Sequence, residues 1–212
     1  LSVFTPDIIS KLDMYQANIP SKYGGRISSV MDIKVKNPYS DKLELNGGIG
    51  LLSSRLKITT PILKDKLLVS AAIRGGFTDF LFPIFVKRLK NTKANFYDGT
   101  MKLLYIINDN NQVSYNHFSS NDFYQLDLIS NVEKINSEFN QYDFSTSNHT
   151  FKWLHNFKNN TTLKTLYVNS TYLPKNLFPE FDSSNVIVFK SKVNYSSFQS
   201  EYTDSRGEKF NY

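Results

Sequence analysis

An antiparallel, all-β fold is what the 212-residue sequence predicts, on three observations. From Lys42 onward, apolar and polar residues alternate along long runs, the period-two pattern of strands with one greasy face. Aromatic residues make up 15% of the chain, with 17 Phe and 13 Tyr, yet the mean hydropathy is only −0.37. Short polar links at 63–66, 108–111 and 158–161 alternate with longer ones at 78–95, 119–145 and 174–184. Short turns at one rim and long loops at the other are the habit of an outer-membrane barrel. Its spanning strands need only about ten residues, every second one apolar. No apolar run is long enough for a membrane helix, which leaves that reading open.

Residues 1–18 carry helix-start signals. Thr5 can cap, Pro6 suits the first helical position, Asp7 suits the positive end of the dipole, and Ile8, Ile9 and Leu12 form an apolar stripe. Residues 14–19 read as a strand. After Pro20, the run Tyr23-Gly24-Gly25-Arg26 reads as a glycine turn in which positive φ carries no penalty. A strand over 27–36 follows, with Ile27, Ser29, Met31, Ile33 and Val35 on one side and Ser28, Val30, Asp32, Lys34 and Lys36 on the other. These elements form a small mixed α/β piece over residues 1–37, ahead of a β-meander over 38–212.

Within the meander, Leu43, Leu45, Gly47, Ile49 and Leu51 alternate with Glu44, Asn46, Gly48 and Gly50. Leu56, Ile58, Thr60 and Ile62 alternate with Arg55, Lys57 and Thr59, and Leu67, Val69, Ala71 and Ile73 with Leu68, Ser70, Ala72 and Arg74. Tyr97, Met101, Leu103, Tyr105 and Ile107 lie opposite Asp98, Thr100 and Lys102. The Asn108–Asn111 turn leads to Val113 and Tyr115, and further strands fit 146–157, 161–173 and 185–199. The meander therefore has about eight strands.

The phrase I-P-S-K-Y-G-G-R-I-S-S-V-M-D-I-K-V-K over 19–36 is followed by the alternating run 43–62 and by Lys64-Asp65-Lys66-Leu67-Leu68-Val69-Ser70. Together they resemble the plug end and first barrel strands of TonB-dependent outer-membrane receptors, the Bacteroidetes type above all. The likeness covers the first half of the chain closely and the rest by pattern. It implies a partial transmembrane β-barrel, preceded by the C-terminal piece of an α/β plug domain, in the outer membrane of a Gram-negative bacterium. Such receptors close with roughly twenty-two strands around a plugged lumen, so the chain reads as part of a longer precursor, without its signal peptide. The implied function is energised uptake of a scarce or bulky solute, such as a siderophore, cobalamin, glycan or peptide. Implied partners are outer-membrane lipid, the imported solute, and a TonB-type energy-coupling protein acting through a part of the receptor missing here. The starch-utilisation subgroup's plug ending is not matched, which weakens the case for a lipoprotein lid.

The resemblance also assigns residues. Tyr23, Gly24, Gly25, Arg26 and Asp32 form the plug-end motif, with Arg26 and Asp32 expected to pair with the barrel wall. Glu44, Arg55, Lys57, Arg74, Asp98 and Lys102 stand on the non-greasy strand face and are candidates for the lumen, contacting the plug or the solute path. Tyr97, Tyr105, Tyr115, Phe151, Trp153 and Phe157 are candidates for the aromatic girdle at the membrane interface.

No catalytic constellation, cofactor motif or metal motif stands out, and no enzyme activity is expected. Cysteine is absent, which excludes disulfides and thiolate chemistry. His117, His149 and His155 match no familiar ligand spacing, although His149 and His155 share strand parity. Glu180 and Asp182 read as solvated loop charge. The net charge of +6 is spread along the chain without a basic run, so nucleic acid is not expected as a partner. Two rivals share the alternation: a soluble or surface-displayed β-sandwich that binds glycan or protein, and an outer-membrane barrel without transport. A sandwich would bury its greasy face against a second sheet and tolerate charge within it; a membrane face would be free of charge across its span.

Overall fold

The computed structural model describes residues 5–24, 28–77, 84, 92–126, 140–158, 160–179 and 185–205. The expected opening helix shrinks to a single 3-10 turn, Pro6–Ile8, and β1 (Ile9–Gln16) starts at once. Thr5 makes no capping hydrogen bond; consecutive Ile8 and Ile9 favour extended backbone, and β1 finds an antiparallel partner in β2 (Ser29–Val35). The piece over residues 5–36 is thus a β-hairpin with two 3-10 turns, the second at Ser21–Tyr23, and the described residues there contain no α-helix.

The remaining strands are β3 (Glu44–Ile49), β4 (Ser53–Leu63), β5 (Leu67–Phe77), β6 (Lys93–Asn108), β7 (Asn111–Leu126), β8 (Asn140–Asn156), β9 (Thr161–Pro179), β10 (Val186–Lys190) and β11 (Val193–Asp204). They form one antiparallel sheet in chain order. Strands β10 and β11 both pair with β9, end to end, so the sheet is eight strands wide. Strand β3 does not pair with β11, and the sheet is open.

Two prolines sit where their missing N–H costs least. Strand β3 pairs with β4 only as far as Thr59, so Pro61 lies beyond it. Pro174 lies opposite the break between β10 and β11, where its carbonyl accepts from the Ser191 amide at 3.0 Å. The short turns use residues that tolerate left-handed backbone: Asp65 at φ 57° and Asn160 at φ 53°. In the β6–β7 turn the Asn108 side chain accepts from the Asn110 amide at 3.1 Å.

Several strands are longer than the alternation suggests. Strand β7 runs to Leu126 and pairs with β8 as far back as Asn140, so both ends of the expected 119–145 loop, 119–126 and 140–145, are strand. Likewise β6 begins at Lys93 and β9 continues to Pro179. Ser, Asn and Asp read as loop in these stretches, but paired strands satisfy their backbone whatever the side chain. The link between β3 and β4, residues 50–52, is short although it lies at the rim of the longer connections.

Register sorts the side chains into two faces. From β4 to β7 every buried strand residue lies on the face turned towards the β1–β2 hairpin: Thr59, Ser70, Asp98, Thr100, Lys102, Ser114 and Ser120 among them, with Leu68, Ala72, Leu104 and Phe118. The opposite face carries the exposed hydrophobics Leu45, Leu56, Ile58, Ile73, Tyr97, Tyr105, Phe151, Trp153 and Phe198, whereas on β9 to β11 Tyr172, Ile187, Phe189, Val193 and Tyr195 are exposed on the inward face. Its charges are Lys93, Asp143, Lys175 and Lys190 towards the long-loop rim and Asp204 at the other. On β7 to β11 this face turns polar beyond the row Tyr115, Phe151, Tyr167 and Phe198, starting with His117, His149, Asn169 and Ser196.

Gly76 is held to its residue type by a close approach: a Cβ there would fall inside the ring of Phe96, its cross-strand partner. The Arg74 guanidinium in turn lies 4.8 Å from the centre of that ring. Gly76→Val should therefore cost about 1–3 kcal/mol by displacing the ring. Gly48→Ala, whose new Cβ meets only the Arg55 side chain at ordinary contact distance, should change stability by less than about 0.5 kcal/mol. Denaturant unfolding of the two variants against the parent checks both values.

Candidate functional site: the polar face and its hairpin

Four contacts tie the hairpin region to the polar face. The Asp7 carboxylate accepts from Arg55 Nε at 2.7 Å. The Asp7 carbonyl accepts from Lys57 Nζ at 3.4 Å. Thr5 Oγ1 donates to Asp98 Oδ1 at 3.1 Å. Lys102 Nζ donates to the Val35 carbonyl at 2.9 Å. Strands β4 and β6 place these groups on one face because Arg55, Lys57, Asp98 and Lys102 share inward parity through the registered partners of β5.

Asp98 is the hub. Its Oδ2 takes two donors from Arg74, Nε at 2.7 Å and Nη2 at 2.6 Å, while Oδ1 takes Thr5. The side chains are 10% exposed for Arg74 and 2% for Asp98. A carboxylate this deep is tolerable only when paired and hydrogen-bonded. The Asp7–Arg55 pair is different, with side chains 30% and 47% exposed, so solvent screening leaves it about 0.2–1 kcal/mol.

The hairpin carries its own ties. Tyr23 donates to Asp32 Oδ2 at 2.7 Å. Burial, helped by that carboxylate, holds the Tyr23 phenol well above the usual phenol range. Asp32, expected to reach the wall, is therefore engaged inside the hairpin, with Lys34 Nζ a further 4.0 Å away. Gly24 sits at φ −48°, so it does not use the left-handed freedom expected of the turn. Gly25 and Arg26 lie outside the described residues. Between the hairpin and strands β8, β9 and β11 lies a cavity of about 660 Å³, bordered by Tyr23, Met31, Asn148, Val168, Tyr195 and Gln199. The sheet thus curls past the hairpin on both sides.

Of the candidate lumen residues, Arg55, Lys57, Asp98 and Lys102 touch the hairpin region, and Arg74 does so through Asp98. Glu44 shares their face but bonds locally, accepting from Ser40 Oγ at 2.8 Å. The candidate girdle residues Tyr97, Tyr105, Tyr115, Phe151 and Trp153 all stand on the opposite face. Phe157, just past the end of β8, is exposed and close to His155 and Tyr202. Tyr115 packs on Phe151 at 4.7 Å between ring centres. His117 and His149 face each other across β7 and β8 at 4.6 Å, whereas His155 bonds Asn111 and stands apart. Among the described residues no group of three or more His, Asp or Glu could hold a metal ion. Glu180 and Asp182 lie outside the described residues.

Sequence reasoning missed Thr5 and Asp7 as wall contacts, because a Thr-Pro-Asp start reads first as a helix cap. No protein-family model, curated protein or solved structure matches the chain.

Arg74→Ala, which leaves the Asp98 carboxylate buried and unpaired, should cost about 3–5 kcal/mol. Arg74→Met combined with Asp98→Leu should cost much less than that single change, since both charges go together. Thr5→Val should cost about 1 kcal/mol. Thermal unfolding of the four proteins tests the order.

Proposed function

We propose that the chain is the plug end and the first barrel strands of a TonB-dependent outer-membrane receptor that imports a scarce or bulky solute. The observation that carries this reading is the partition of the sheet: most strand charges face the hairpin side, and from β3 to β6 the exposed large hydrophobics face away from it. A large apolar side chain left in water forfeits roughly 1.5–3 kcal/mol. Nine such residues on one face, each about half exposed, forfeit a sum comparable to the about 5–15 kcal/mol that holds a domain together. Hydrocarbon around that face removes the penalty. A sandwich would need a second sheet over it, and among the described residues none lies there.

Strand length supports a bilayer position. Strands β6 to β9 have 16 to 19 residues. At about 3.3 Å per residue and a tilt near 40° they rise about 40 Å or more, against an apolar band about 25 Å tall. The polar outward rows above Tyr115, Phe151 and Tyr167 then stand beyond the hydrocarbon, on the long-loop side. In this reading the hairpin is the lumen-lodged end of the plug, the linker past Tyr39 leaves at the short-turn rim beside Asn108–Asn111, and a TonB-type partner supplies energy through the plug. Arg55, Lys57, Arg74, Asp98 and Lys102 hold the plug end to the wall, and Tyr97, Tyr105, Tyr115, Phe151, Trp153 and Phe157 serve the interfaces.

Cells producing the intact gene product test this. Leu103→Arg, on the outward face, should cost about 2–4 kcal/mol of insertion and deplete the receptor from the outer-membrane fraction. Asn148→Arg, on the inward face, should leave its recovery unchanged. Equal tolerance of the two changes, with the parent protein in the soluble fraction, would overturn the proposal.

A further inference from the structure

The inward face holds a second cluster, nearer the short turns than Asp98. Lys102 is 3% exposed and stands opposite Asn116 on β7, which stands opposite Thr150 on β8. One inward step along, Leu104 lies opposite Ser114, and Ser114 opposite Lys152. Among the described residues neither lysine has a carboxylate within ion-pair distance. Asp98 is taken by Arg74 and Thr5, and Glu201 by Lys164.

The polar groups around the lysines are also unmet. The hydroxyls of Thr100 and Ser114 and the Asn116 carbonyl oxygen are buried with no hydrogen-bond partner. Ser114 is 2% exposed and Thr100 4%. Buried polar groups are ordinarily bonded, and buried cations are ordinarily paired. Two cations and the unmet Ser114 hydroxyl on the strand between them are donors that match the oxygens of an anion.

The geometry points to an anion site formed by Lys102 and Lys152 with Ser114 between them, which takes a carboxylate- or phosphate-bearing solute on the inward face. It deepens the transporter reading and rests on it: the imported solute would carry negative charge and meet this site below the Asp98 contacts, on the short-turn side. Lys102 already spends one donor on the Val35 carbonyl. An anion at the site therefore bears on the end of β2 and on the hairpin's hold.

The test uses the intact receptor in detergent, with inorganic phosphate against chloride at matched ionic strength. Calorimetric titration should show saturable phosphate binding, and thermal unfolding should shift upward with phosphate alone. Lys152→Met should weaken binding at least tenfold, and Lys102→Met likewise. Lys93→Met, whose lysine stands on the outward face, should leave it unchanged. Equal effects of phosphate and chloride, or parent-like binding by Lys152→Met, would overturn the inference; so would a carboxylate of the receptor's own chain filling the site and excluding phosphate. Fractionation of the same preparations separates the two ideas: an outer-membrane protein without anion binding defeats this inference alone, and a water-soluble protein that binds phosphate defeats the transporter reading alone.

Discussion

Strand parity is the constraint on which the structure depends. Once β4 pairs with β5 in the register Leu56 to Ile73 and Arg55 to Arg74, every later strand inherits a fixed inward and outward face, because a slip of one residue would exchange them. Such a slip would put Lys57, Asp98 and Lys102 among the greasy residues and Leu103 and Tyr105 against the hairpin. Each transfer costs kilocalories, so register is held by both faces at once. Backbone donors and acceptors between paired strands are satisfied within the ladder, which leaves side chains free to be polar inside and apolar outside.

That inversion gives the hairpin an unusual seat. A soluble core holds its layers by apolar area; here Thr5, Asp7 and the Val35 carbonyl meet Asp98, Arg55, Lys57 and Lys102. Only Ile8, fully buried, provides a large apolar anchor in the described N-terminal region. Ion pairs exposed like Asp7–Arg55 exchange readily with water, whereas the Arg74–Asp98 pair is deep. A hairpin seated this way can lose its outer contacts at small cost, and its grip concentrates on Asp98. A segment that must stay in place yet be displaced by a modest pull is well served by that division.

The alternation made the sheet legible: strand order, the short turns and the face of each lumen and girdle candidate follow from period two. Strand ends were less legible. Ser119 to Asp122 have the composition of a loop, and only their pairing with 144–147 makes them strand, a long-range fact that no local window carries. The N-terminus misled for a related reason. Thr5-Pro6-Asp7 satisfies the local rules for a helix start, but the Thr5 hydroxyl bonds Asp98, 93 positions away in sequence. Asp32 went astray through the resemblance, which sent it to the wall when Tyr23 stands closer. Lys152 could have been found, since it shares a face with Thr150 and opposes Phe151 and Trp153 in parity.

The edges of the sheet complete the physical case. Soluble proteins blunt an exposed edge with proline, inward charge, bulges or short strands. Strand β11 does little of this: twelve residues without proline, in unbroken register with β9 from Val193 to Asp204. Its outer side presents a long row of backbone donors and acceptors. Strand β3 at the other edge is shorter but carries Gly47 and Gly48, which offer no side chain to shield the backbone. In water such edges invite aggregation, and in hydrocarbon each unpaired group costs several kilocalories. Among the described residues neither β3 nor β11 has a partner strand on its outer side, and the barrel proposed above removes that cost by pairing both.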